Sequence, residues 1–225
     1  MTAKLIVIEG IDGTGKRTQS QLLVENLKRL SITAHLFGFP DYQGTVMGQT
    51  IGKMLSGTLG DLSYVHPYFS ASLFALDRAE KRSQILNCLA QGEWVICDRY
   101  VYSNIAHQAC RLPAEDRGEF LKWVEHLEYN ILGLPKPNEI ILLSMEEHQS
   151  KTLRENRQEH SYSGSVLDVH EADLKGMSSA REIYEELAKT LNWKVIECSN
   201  EGKLRTIDEI SKDIWEHLKI NIHDA

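Results

Sequence analysis

Gly10 and Gly15 stand five residues apart, Lys16 follows at once, and the apolar run LIVIE precedes them, so GIDGTGK carries the GxxxxGK spacing between a strand and a helix-forming stretch. Glycines let such a loop turn until successive backbone N–H groups converge, and the start of the helix adds positive potential where phosphate oxygens would sit. Lys16 supplies a mobile point charge for β and γ phosphates. Gly10, Ile11, Asp12, Gly13, Thr14, Gly15, Lys16, Arg17 and Thr18 are therefore the expected nucleoside triphosphate loop. The alternative is a purely structural strand-to-helix turn. Where the motif calls for a hydroxyl ligand to Mg²⁺, directly after the lysine, the chain has Arg17. Thr18 lies one place later, about 100° further round a helix, too far to replace that ligand directly.

A second apolar strand, WVICD, ends in Asp98, followed by Arg99. A carboxylate at the C-terminal edge of a sheet can hold Mg²⁺ through water, or simply cap the next helix. Arg99 offers a bidentate fork to a phosphate, or an ordinary surface charge, and the first reading suggests two phosphorylated substrates. Ser103, Asn104, His107 and Gln108 share one face of the following helix, either solvated or lining a site. Phe74 and Arg78, four apart in SLFALDR, pair an aromatic plane with a planar donor, with a packed Phe and a snorkelling Arg as the plain alternative.

Positioning these groups requires a sheet. Apolar runs at Leu5 to Ile8, Ala34 to Phe37, Trp94 to Cys97, Ile140 to Leu143 and Lys194 to Ile196 read as five buried parallel strands. Helical periodicity covers Lys16 to Leu30, Pro67 to Ala90, Val101 to Ala109, Arg117 to Ile131, Ala172 to Leu191 and Ile207 to Leu218. The pattern is a doubly wound α/β sheet with helices on both faces, in one domain over the 225 residues. HSYSGS, from His160 to Ser165, reads as a mobile loop or an ordinary surface loop. The net charge of −7 argues against a nucleic acid polymer as main partner. No apolar run is long enough to span a membrane, and the start MTAKLIVIEG lacks the pattern of a signal peptide, so a cytoplasmic location is expected. Cys88, Cys97, Cys110 and Cys198 are too widely spaced for a CxxC pair and read as reduced thiols.

Through EGIDGTGKRTQ, FPDY, LFALDR, DRYVYSNIAHQ and DVHE, in that order, the chain resembles the thymidylate kinase family over most of its length. The resemblance implies a P-loop fold, transfer of the ATP γ-phosphoryl group to dTMP with Mg²⁺, and a homodimer. It implies that Asp12 holds the deoxyribose 3′-hydroxyl beside the transferring phosphate, that Phe74 stacks on thymine, and that Arg78 donates to its O4. Asn104 would read the base edge, Arg99 would clamp the monophosphate, and Phe39 and Tyr42 would wall the pocket. His107, near the sugar, together with Ser103 and Gln108, completes the implied dTMP site. A lid over about residues 151–171 would bring Arg154 and Arg157 to the transferring phosphate and Glu171 near the metal or phosphate. Because position 13 is Gly, the loop lacks the arginine that some members carry there, and the lid arginines would supply transition-state charge.

Rival readings are a kinase for deoxynucleosides or for UMP and CMP, a GTPase switch, and a nucleotide-binding protein without turnover. The tract DYQG fits a bare DxxG pattern, but no NKxD guanine reader exists in the chain.

Overall fold

The computed structural model describes residues 3–146, 149, 174–200 and 202–218, with side chains of the later segment from Met177 onward. Strand β1 (Leu5–Glu9) leads through the glycine loop into α1 (Lys16–Arg29), then β2 (Ala34–Gly38), α2 (Val46–Leu55) and α3 (Pro67–Ala90). Next come β3 (Trp94–Asp98), α4 (Val101–Ala109), α5 (Ala114–Glu125), a π-helical turn (His126–Ile131) and β4 (Glu139–Ser144). The described chain ends with α6 (Leu174–Thr190), β5 (Lys194–Glu197), a short hairpin of β6 (Ser199–Asn200) and β7 (Lys203–Leu204), and α7 (Ile207–His217).

The sheet is parallel, in the order β2-β3-β1-β4-β5. β1 is its centre and is buried from end to end, which is why LIVIE is apolar on both faces. Side-chain alternation splits the core. Leu5, Val7, Val95 and Cys97 face α3, α4, α5 and α6, while Ile6, Ile8, Ile96 and Ile141 face α1 and α7. The chain leaves β1 towards β2 and leaves β3 towards β4, in opposite directions, so a crevice opens beyond the C-terminal ends of these two neighbours. Both groups of candidate residues, at the ends of β1 and β3, meet there.

Every strand of the five-stranded sheet lies within a residue of its expected bounds and the α/β sheet with helices on both faces is as expected, whereas the β6-β7 hairpin was not foreseen. Two helices differ. α2 was not foreseen, because Gly48 and Gly52 lower its helix propensity; Thr45 caps it by accepting the Gly48 N–H at 2.9 Å. The expected helix over Arg117 to Ile131 is α5 followed by a π turn, in which the Leu132 N–H reaches back five residues to the Leu127 carbonyl at 2.9 Å. The lid residues Arg154, Arg157 and Glu171 lie outside the described residues.

Candidate active site

The loop between β1 and α1 needs its glycines. Gly10 has φ +146°, and a Cβ there would lie 2.6 Å from the Leu143 carbonyl oxygen of β4. Gly15, at φ +87°, precedes α1, whose first turn has no side-chain cap and no acidic residue. The amides of that turn are therefore neither capped nor neutralised by the protein, which suits them to an anion. The Thr14 hydroxyl donates to the Ile11 carbonyl at 2.9 Å, holding the loop closed.

Lys16 is 6 % exposed, its Nζ donating to the Ile11 carbonyl at 2.7 Å and lying 3.8 Å from Asp12 Oδ1. Burial, and then the Arg99 charge, lower its pKa to about 8. Asp12, Asp98 and Glu9 pull the other way, because each carboxylate favours the charged amine. Arg17 is exposed and reaches towards Gly38 at the end of β2, and Thr18 is half-buried.

Arg99 is the pivot of the crevice. It adopts φ +67°, a left-handed conformation uncommon for a side chain of this size, and its N–H donates to the Ile8 carbonyl at 3.1 Å. Its Nη2 donates to the Asp12 carboxylate, while Nη1 lies 3.1 Å from Ser103 Oγ and 3.0 Å from His107 Nε2. The sequence gives no direct sign of what holds this arrangement. Glu9, fully buried at the end of β1, accepts from the Tyr100 N–H, the Ser103 N–H and hydroxyl, and the Tyr184 hydroxyl of α6. Burial raises the Glu9 pKa despite these donors and the nearby Arg99 charge.

Beyond Arg99 lies an open cleft lined by Asp12, Phe39, Pro40, Phe74, Arg78, Arg99, Ser103, Asn104, His107 and Gln108. It therefore gathers nine of the ten residues expected around the monophosphate. Tyr42, the tenth, is not among them: it is 41 % exposed, with its ring about Gly52 of α2. Pro40, which follows a cis peptide bond after Phe39, was not singled out in the sequence. On the shared face of α4, Ser103, Asn104 and Gln108 are buried and His107 half-buried, so the face is not solvated. Gln108 Oε1 accepts from the Ser70 hydroxyl at 2.7 Å and from Arg111 at 3.0 Å. Asn104 Nδ2 donates to the Ala71 carbonyl and to Glu128, both at 3.0 Å, which fixes the amide and leaves its buried Oδ1 without a partner.

Arg78 does not snorkel. It is 1 % exposed and forks onto Glu128 of the π turn, a partner that periodicity could not have revealed. Asp98 closes β3, half-buried, its backbone carbonyl accepting the Phe39 N–H at 3.0 Å. The tract from Ser199 to Lys203, which in the family's order of motifs falls at the adenine loop, coincides with the β6-β7 hairpin, with residue 201 outside the described residues.

Comparison with known proteins gives a consistent result. The family model described as thymidylate kinase matches residues 8–210. The thymidylate kinase of Mycobacterium tuberculosis is 35 % identical over 184 residues, covering 82 % of this chain and 85 % of that one. The human thymidylate kinase is 30 % identical over 212 residues, covering 93 % and 87 %. A solved thymidylate kinase structure from Candida albicans superposes with a TM-score of 0.71 at 24 % identity, over 97 % of this chain and 92 % of that one, a likeness of fold.

Proposed function

The chain belongs to the thymidylate kinase family, and on that premise we propose how its residues divide the work. The activity is that of a nucleoside monophosphate kinase: an oxygen of the dTMP phosphate attacks the γ-phosphorus of ATP, and dTDP and ADP leave. Little covalent help is needed, so the protein's task is alignment and charge compensation. The glycine loop and Lys16 hold the β and γ phosphates of ATP, and Arg99 clamps the monophosphate. Asp12, between Lys16 and Arg99, orients the sugar hydroxyl and offsets the repulsion between the two cations.

Thymine recognition rests on two neighbouring groups of opposite character. Arg78 spends Nε and Nη2 on Glu128, leaving Nη1 to donate to O4. Asn104 spends its amide protons and leaves Oδ1 to accept the N3 proton. Phe74 supplies the stacking plane. Cytosine inverts both edges, presenting a donor at position 4 and an acceptor at N3. This complementary pair in the cleft is the observation that carries the reading.

The residues present fit Mg²⁺, which takes hard oxygen ligands and usually only one or two carboxylates besides phosphate and water. Asp98 would hold it through water, and the ion would offset repulsion between donor and acceptor phosphates. Arg17 takes no part. By the family resemblance, Arg154 and Arg157 of a lid over about 151–171 would bring further positive charge, and Glu171 would serve near the metal or phosphate. Self-association into a homodimer is supported by exposed apolar side chains on two packed helices, Val46 of α2 and Phe69 and Leu76 of α3, at 65 %, 72 % and 41 % exposure. Free cysteines suit the reducing cytoplasm, and among the described residues no helix is long and apolar enough to cross a membrane.

A coupled assay of ADP release against a panel of nucleoside monophosphates tests the reading. dTMP is expected to be preferred over dCMP, UMP and CMP; an equal response to dCMP would overturn the assignment of Arg78 and Asn104.

A further inference from the structure

The end of the sheet away from the phosphate loop gathers a different set of side chains. His35 is the second residue of β2, Cys88 lies in the last turn of α3, and Glu93 immediately precedes β3. An imidazole nitrogen, the Cys88 Sγ and a carboxylate oxygen lie within 4.8 Å of one another. We propose that His35, Cys88 and Glu93 form a binding site for a thiophilic divalent transition metal of the zinc class, with a fourth position open to water.

The backbone holds all three in place. α3 ends with the Glu93 N–H donating to the Cys88 carbonyl at 3.0 Å and the Gly92 N–H to the Leu89 carbonyl at 3.1 Å, with Gly92 at φ +80°. This Schellman closure fixes Cys88 and Glu93 to each other. The Trp94 N–H then donates to the Thr33 carbonyl at 2.9 Å, and β2 pairs with β3 so that His35 lies opposite Val95. The ligands thus come from three elements joined by main-chain bonds, which is the support a metal site needs to keep its geometry.

His35 Nε2 and Glu93 Oε2 already touch at 2.7 Å. Around a tetrahedral zinc ion, nitrogen and oxygen ligands at about 2.0 Å from the metal sit roughly 3.3 Å apart, so accepting the ion opens this contact by about half an ångström. A hydrogen bond explains His35 and Glu93 as a pair, but it does not explain the sulfur beside them. All three side chains are partly buried, which leaves a path for the ion and its water. Sulfur, nitrogen and oxygen together favour zinc-class ions over Mg²⁺ and Ca²⁺, which prefer shells of oxygen alone. Three residue steps along β2 separate His35 from Gly38 at the phosphate end, roughly 10 Å, so this site is separate from the nucleotide's metal.

The test uses the full chain with Co²⁺ as a spectroscopic stand-in for zinc, in excess Mg²⁺ to keep oxygen-rich sites filled. One equivalent should bind with a thiolate-to-cobalt charge-transfer band and the visible bands of four-coordination, and Zn²⁺ should displace it. Cys88→Ser should abolish the charge-transfer band, while His35→Gln and Glu93→Gln should each weaken binding about tenfold or more. All three variants should still phosphorylate dTMP, showing that lost metal is not lost fold. Absence of the band in the unaltered protein, or cobalt binding that survives Cys88→Ser unchanged, would overturn the site.

Discussion

Arg78 and Glu128 meet in a two-toothed ion pair, Nε to one carboxylate oxygen at 2.5 Å and Nη2 to the other at 2.6 Å, with both side chains buried. Removing the arginine alone would strand a buried carboxylate, so Arg78→Ala should cost about 3 to 5 kcal/mol of stability and obscure any effect on the base. The informative variant is Arg78→Met with Glu128→Leu, which removes both charges. It should stay folded by urea titration and lose about one to two factors of ten in preference for dTMP over dCMP, the cost of one unmatched buried polar group. Equal losses with both monophosphates would mark Arg78 as purely structural.

Lys16 predicts a pH dependence with a definite sign. Its pKa in the folded chain, about 8, lies below the ordinary lysine value of 10.5, so the charged amine costs stability below pH 8 and that cost fades as pH rises from 8 to 10.5. Lys16→Met should therefore make the ligand-free protein more stable at pH 7, by up to about 3 kcal/mol, while abolishing turnover. In the unaltered enzyme kcat/KM for ATP should fall above pH 8, as the free enzyme loses the proton its phosphates require. Calorimetry of ATP binding near that pH, in buffers of different ionisation enthalpy, should show proton uptake.

Asp12 touches both cations of the crevice, Arg99 by hydrogen bond and Lys16 at 3.8 Å. Asp12→Asn releases Arg99 for the monophosphate, so the dissociation constant of dTMP should hold or tighten while kcat drops at least about tenfold. A rise in KM with unchanged kcat would reduce Asp12 to a ground-state contact.

Two glycines of the phosphate loop should respond differently to alanine. At Gly10 the new Cβ would strike the Leu143 carbonyl, whereas at Gly15 nothing lies within 4 Å. Gly15→Ala should cost only the strain of a left-handed residue, about 1 to 2 kcal/mol, and Gly10→Ala distinctly more, as compared by denaturant midpoints.

The sheet was legible because buried parallel strands announce themselves as apolar runs, and LIVIE and WVICD end in Glu9 and Asp98, next to the loops that form the crevice. The cleft residues were legible through the resemblance and not through periodicity, which leaves the α4 face open between solvent and site. What stayed hidden were the long-range partners. Glu9 looks like one more strand residue, and Tyr184 like one more helical aromatic, until they meet at Ser103. α2 was hidden for a related reason: a Cβ at Gly48 would collide with the Asp41 carbonyl at 2.0 Å, so close approach of the FPDY segment demands the residue that disguises the helix. Cys88 and Glu93 lie five residues apart across the end of α3, but only the register of β2 on β3 brings His35 to them.

If Arg78 and Asn104 read the base as proposed, the π turn over His126–Ile131 gives chain length a part in choosing the substrate. A π turn is an α-helix with one surplus residue, and here the surplus falls around Glu128, the carboxylate that orients Arg78 and anchors Asn104. A sister chain with one residue fewer in this stretch, and the same arginine, glutamate and asparagine, would close to ordinary pitch and turn that carboxylate about 100° aside. Base selection in such a chain could drift through a deletion in a helix that never touches the base, with every side chain in the cleft unchanged.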